Sequence, residues 1–155
     1  MRPISLTLGL LVLFEAGCSA VTSIQPVRIQ GTAMLPGLKE GDHAIFSRKF
    51  EKPARGDIVI FHYPPEPAKS YIKRIIGLPG EEIEIREGNV LINGQKIDEP
   101  YVDPKNNLAA RRYEPVKIPD DSYFVIGDNR DNSNDSRLWG PLARKFIYGR
   151  FMSKY

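Results

Sequence analysis

Residues 82–97 read EIEIREGNVLINGQKI. Glu82, Glu84 and Arg86 alternate with Ile83 and Ile85, the period-two pattern of a strand with one face in a core and the other in water. Glu87-Gly88-Asn89 turns the chain into the apolar run Val90-Leu91-Ile92. Asn93-Gly94 is the pair most favoured in two-residue hairpin turns, because both residues tolerate positive φ. It leads into Gln95-Lys96-Ile97. The same signals recur on either side. Short β-prone runs bounded by Gly, Pro and Asp lie at 27–30, 43–47, 58–63 and 71–76, and again at 122–126 and 146–152. Residues 63–68 and 99–114 read as loops. No segment beyond about twelve residues keeps a helical period. The expectation is one all-β domain, a folded sheet or barrel carrying a loop insertion.

The chain has 155 residues, room for one ordinary domain with a real core. Its 13 prolines and 13 glycines argue against a long helical bundle. One cysteine excludes an intramolecular disulfide framework and a multi-cysteine zinc site. The formal charge of +3 is too weak by itself to imply a nucleic-acid partner, and none is expected. His43 and His62 fall on predicted strands with no acidic cluster at metal-ligand spacing, so no metal and no cofactor is expected. Trp139 reads as a packing anchor.

The N-terminus reads as targeting. After Arg2, residues 4–14 (ISLTLGLLVLF) carry no charge. As a helix this run spans roughly 17 Å, short of the ~30 Å hydrocarbon core. That suits a secretory apolar region. Ala16-Gly17-Cys18 follows, with small residues directly before a cysteine. Two readings stay open. In one, Cys18 is lipidated and becomes the mature N-terminus. In the other, the segment is an uncleaved anchor reaching to about residue 24. Either way the folded part faces the extracytoplasmic side of a membrane, and lipid is an expected partner. The expected division is 1–18 targeting or anchor segment, 19–26 linker, and 27–155 β domain.

Four segments carry chemistry: 31–38 (GTAMLPGL), 55–61 (RGDIVIF), 71–81 (YIKRIIGLPGE) and 127–141 (GDNRDNSNDSRLWGP). In this order they resemble the type I signal peptidases, membrane-bound endopeptidases that remove signal peptides with a serine nucleophile and a lysine general base. The likeness runs from about residue 27 to 150 and is most specific in the last segment. It implies the signal-peptidase-like β fold and secreted polypeptides with signal peptides as partners. By the same resemblance Lys73 holds the general-base position. Ser133 would hydrogen-bond Lys73, Asp135 would pair with Arg137, and Asp128 with Arg74. Gly31, Met34 and Pro36 would border the bound peptide.

A lysine serves as a general base only when neutral near pH 7, so its ordinary value of about 10.4 must fall by several units, as burial among apolar groups can achieve. Lys73 has Ile72, Ile75 and Ile76 near it in sequence. Strand alternation puts Lys73 and Ile75 on one face and Arg74 on the other.

One position breaks the pattern. The family's serine nucleophile precedes the methionine of the first segment, and Ala33 stands there. A methyl group cannot attack a carbonyl. Loss of the nucleophile from a well-studied serine protease costs about 10⁶ in kcat, on the order of 8 kcal/mol of barrier. Thr32 does not replace it, because in an extended segment its side chain points to the opposite face. Gly37 is a second departure, where the family usually has threonine.

Three accounts of Ala33 are open: a natural non-catalytic relative that binds peptides, an engineered change, or an unrecognised nucleophile. The intact N-terminal segment and Gly37 favour the first. Two other functions compete. One is a membrane-tethered binding or assembly module without protease activity. The other is the related Ser/Lys fold of self-cleaving repressors, which the secretory N-terminus and the 127–140 segment oppose.

Overall fold

A computed structural model describes residues 23–109 and 111–155. The apolar run and Cys18 lie outside the described residues. Among the described residues, eleven strands form two antiparallel sheets. In chain order they are β1 (Ile24–Arg28), β2 (His43–Ser47), β3 (Ile58–His62), β4 (Ser70–Gly77), β5 (Glu82–Arg86) and β6 (Asn89–Ile92). Then come β7 (Gln95–Lys96), β8 (Tyr113–Lys117), β9 (Ser122–Ile126), β10 (Leu142–Ala143) and β11 (Ile147–Lys154). The larger sheet runs β1-β2-β11-β3-β4-β9-β10 and the smaller β7-β6-β5-β8. A four-residue helix, α1 (Ser136–Trp139), and two 3₁₀ turns are the helical content of the described residues. The all-β expectation holds. No helix among the described residues is long and apolar enough to cross a membrane.

The 82–97 stretch folds as its pattern requires. Glu87-Gly88 and Asn93-Gly94 are two-residue turns with positive φ at both residues, joining β5 to β6 and β6 to β7. Ile83 and Ile85 are buried while Glu82 and Arg86 are exposed.

Sequence reasoning misplaced the first strand and missed β8, β10 and the short helical turns. β1 begins at Ile24, inside the stretch read as linker, and pairs with β2 through Ile24–Ser47. β10 is only two residues long. β8 (YEPVK) was hidden by its charges and by Pro115. It is an edge strand beside β5, and the register shifts around Pro115, so the missing N–H costs no regular ladder bond.

Strand β9 ties the core together. All five of its residues are buried, and alternate side chains serve different clusters. Phe124 and Ile126 join Ile76, Ile83, Ile85, Val90 and Ile118 between the sheets. Tyr123 and Val125 join Val59, Phe61, Ile75 and Leu142. A third cluster, with Ile29, Met34, Leu38, Phe46 and Ile60, lies beneath the 31–38 corner.

Phe124 is fully buried and meets the Tyr113 ring edge-on at 5.2 Å. Phe124→Ala is therefore expected to lower stability by about 3–5 kcal/mol in urea unfolding. Leu138→Ala, at a position 67% exposed, should stay within about 0.5 kcal/mol of the parent.

Candidate active site

Ala33 and Lys73 come from distant parts of the chain and line one cleft of about 550 Å³. Met34, Ile60, Tyr71 and Ile72 supply apolar wall, and Asn132 and Asn134 supply a polar rim. Lys73 sits in β4 opposite Val59 of β3, on a central strand that cannot easily shift. Its side chain is 4% exposed. Nζ donates to the carbonyl of Ile72 at 3.1 Å and lies 5.3 Å from the centre of the Tyr71 ring. Burial pulls the amine from the usual 10.5 down to about 8. The nearby Asp135 carboxylate opposes that fall, Arg137 assists it and Asp128 opposes it.

Ala33 sits in the turn after β1, and the corner at 127–137 grips that turn. The Asn129 N–H donates to the Ala33 carbonyl at 3.0 Å, and the Asn129 side chain donates to the Thr32 carbonyl at 3.1 Å. The Asn132 side chain donates to the Thr32 hydroxyl at 3.0 Å, so that hydroxyl has a structural partner. Gly127 makes the approach possible. A Cβ there would collide with Ser133 Oγ and lie 2.6 Å from the Ala33 carbonyl oxygen. No group among the described residues accepts from the Ala33 N–H.

Buried ion pairs hold the corner, two of them close to the cleft. Arg74 grips Asp128 with both prongs of its guanidinium, at 2.8 and 2.6 Å, and donates to the Gly56 carbonyl. Arg137 does the same to Asp135, at 2.8 and 2.9 Å. Asp135 also accepts from the Gly127 N–H at 3.0 Å. Burial alone would raise the Asp135 carboxyl, but the Arg137 guanidinium outweighs it and holds the group below the ordinary carboxylate range.

The remaining expected residues divide. Met34 is buried and borders the cleft, as does Gly31. Pro36 is exposed after a cis peptide bond and is not among the cleft-lining residues. The direct bond from Ser133 to Lys73 is not formed. Ser133 Oγ is buried without a hydrogen-bond partner among the described residues, and the amine is satisfied by its own strand. His43 and His62 are exposed strand residues packed on Tyr155 and Tyr148. Trp139 packs on Phe61 and Tyr63. No metal-ligand cluster occurs among the described residues.

Sequence reasoning missed the part played by the 99–112 loop. Glu99 pairs with the buried Arg130, and Tyr101 stacks on Arg74 at 4.0 Å. Burial, with Glu99 beside it, pushes the Tyr101 phenol well above its ordinary range. Asp131 accepts from the N–H groups of Leu108 and Ala109. The loop therefore backs the corner that grips Ala33. Nothing in the loop's sequence pointed to that contact.

A family model described as "Signal peptidase, peptidase S26" matches residues 3–155. "Signal peptidase I" of Leptolyngbya laminosa is 40% identical over 161 residues, covering 96% of this chain and 76% of that protein. "Signal peptidase I V" of Bacillus subtilis (strain 168) is 35% identical over 136 residues, covering 79% of this chain and 80% of that protein. A crystal structure of a signal peptidase I from Enterococcus faecalis V583 superposes with a TM-score of 0.58 at 32% identity. It covers 67% of this chain and all of that one.

Two outcomes follow from the geometry. Asp128→Asn leaves Arg74 charged and short of its partner, so unfolding free energy should fall by about 3–5 kcal/mol. Lys73 gives a pH signature. Between about 8 and 10.5 the unfolded lysine holds a proton that the folded one has released, so stability rises with pH across that window. Lys73→Met should lose this rise and gain on the order of 3 kcal/mol at pH 7, read from denaturation curves over pH.

Proposed function

This chain belongs to the signal peptidase family, peptidase S26, and we propose that it holds extended secreted polypeptides in the Ala33–Lys73 cleft without hydrolysing them at protease rates. The carrying observation is that Ala33 lines the same cleft as the buried Lys73, beside a corner held by buried ion pairs. Hydrolysis by a serine endopeptidase of this family would need a hydroxyl at 33 to attack the scissile carbonyl and Lys73 to take its proton. It would also need a donor for the developing oxyanion. The Ala33 N–H can serve as that donor whatever side chain position 33 bears. Ala33 removes the first requirement and leaves the other two.

The sheet supports the binding half of this reading. β1 is an edge strand, paired on one side with β2, and Val27–Gln30 line the cleft. An extended peptide can add to such an edge through its backbone, with shallow pockets favouring small side chains. Gly31 and Met34 border that path. In this reading Arg74, Asp128, Asp135, Arg137 and Ser133 position the corner and contact no peptide atoms. Pro36 is left without a peptide-binding role.

The apolar N-terminal segment would keep the domain on the extracytoplasmic face of a membrane, through a lipid on Cys18 or as an uncleaved anchor. Residues 1–18 would be that segment, and the domain would begin at Ile24 rather than at 27.

Cleavage of a preprotein with an Ala-X-Ala site tests the reading. The protein as written should give no product above background. Ala33→Ser should restore turnover by several powers of ten, up to about 10⁶. Lys73→Met added to Ala33→Ser should abolish it again. Ordinary turnover by the unmodified protein would defeat the proposal.

A further inference from the structure

The methyl group at position 33 changes what Lys73 is free to do. Among the described residues Nζ makes one hydrogen bond, to the Ile72 carbonyl, and no carboxylate lies within ion-pair distance. Its neighbours are the Tyr71 ring on its own strand and the charges of the braced corner. Asp135 and Asp128 favour the cation, and Arg137 opposes it. Both carboxylates are already committed to arginines. An amine attacks through its lone pair, and no ion pair holds Lys73 in its protonated form. No side-chain hydroxyl at 33 competes for an electrophile seated beside it.

We propose that Lys73 is a covalent capture site for aldehydes, above all for extended peptides whose C-terminal residue ends in an aldehyde. The preference for peptides rests on the groove reading above. Reactive lysines in dry pockets form imines with carbonyl compounds by the same logic. The step balances without oxidant or cofactor. The neutral Nζ adds to the carbonyl carbon, and the oxygen takes up a proton to give a carbinolamine. Loss of water leaves a C=N bond. The two hydrogens lost from nitrogen leave with the carbonyl oxygen as that water. Added cyanoborohydride delivers hydride to the imine carbon and fixes the adduct as a secondary amine.

The test treats the full chain with an Ala-X-Ala peptide aldehyde and cyanoborohydride, followed by intact mass and peptide mapping. One adduct on Lys73 is expected, forming at least about tenfold faster than on the exposed Lys49 or Lys52, because burial of Lys73 favours its neutral, nucleophilic form. Its rate should climb with pH around a midpoint near about 8. Lys73→Met should lose the adduct while still unfolding cooperatively. Ala33→Ser should reduce it, since the new hydroxyl diverts the aldehyde into a hemiacetal that the reductant does not fix.

Adducts spread evenly over surface lysines, or unchanged in Lys73→Met, would overturn the proposal. Butanal and the matching peptide alcohol separate it from the groove reading. If butanal labels Lys73 as fast as the peptide aldehyde does, capture stands and the groove reading falls. If the peptide alcohol binds and neither aldehyde labels Lys73, the groove stands and capture falls.

Discussion

Asp128 and Asp135 are carboxylates taken almost wholly out of water, and a charge so placed is tolerable only when paired and hydrogen-bonded. Arg74 reaches Asp128 from β4, the strand that also bears Lys73. Arg137 closes on Asp135, which in turn takes the Gly127 N–H. These bonds fix a polar eleven-residue corner against the sheet. From that corner Asn129 and Asn132 hold the Thr32–Ala33 turn. The relation between residue 33 and Lys73 is thus set by buried electrostatics at one remove. Breaking either pair would release the turn as well as the corner.

The same bracing keeps Lys73 unpaired. A free carboxylate beside it would hold the ammonium charged. With both acids committed to arginines, burial dominates and the amine falls towards neutrality. Such an arrangement costs stability near neutral pH, because the folded chain must accommodate a lysine that water would rather keep protonated. Position 33 beside this amine carries a methyl group and no hydroxyl. Under the proposed function, binding needs the groove and its edge strand, and hydrolysis would also need a hydroxyl at 33.

Most of the fold could be read where local signals agreed. The alternation at 82–86 and the Asn93-Gly94 turn have few other solutions, and the strands appear within a residue or two. β8 was obscured because Pro115 and its charges suit an edge strand as well as a loop. Ile24–Pro26 carry no strand pattern of their own and depend on pairing with β2. At the site, Lys73 and Ala33, singled out by their motifs, line one cleft. The grip of Asn129 and Asn132 on the turn was not legible, since it joins residues about a hundred positions apart. Nor was the backing by Glu99 and Tyr101, because loop composition says nothing about what a loop packs against. Ser133 shows the reverse failure, where a motif suggested a bond to Lys73 that the packing does not make.

Titration calorimetry of the unmodified protein with a preprotein signal peptide bearing Ala-X-Ala, with the peptide's mass measured afterwards, tests the central claim most directly. The account predicts saturable one-to-one binding and recovery of the peptide intact. Recovery of a peptide cut after the second alanine, or no binding heat at any concentration, would contradict it.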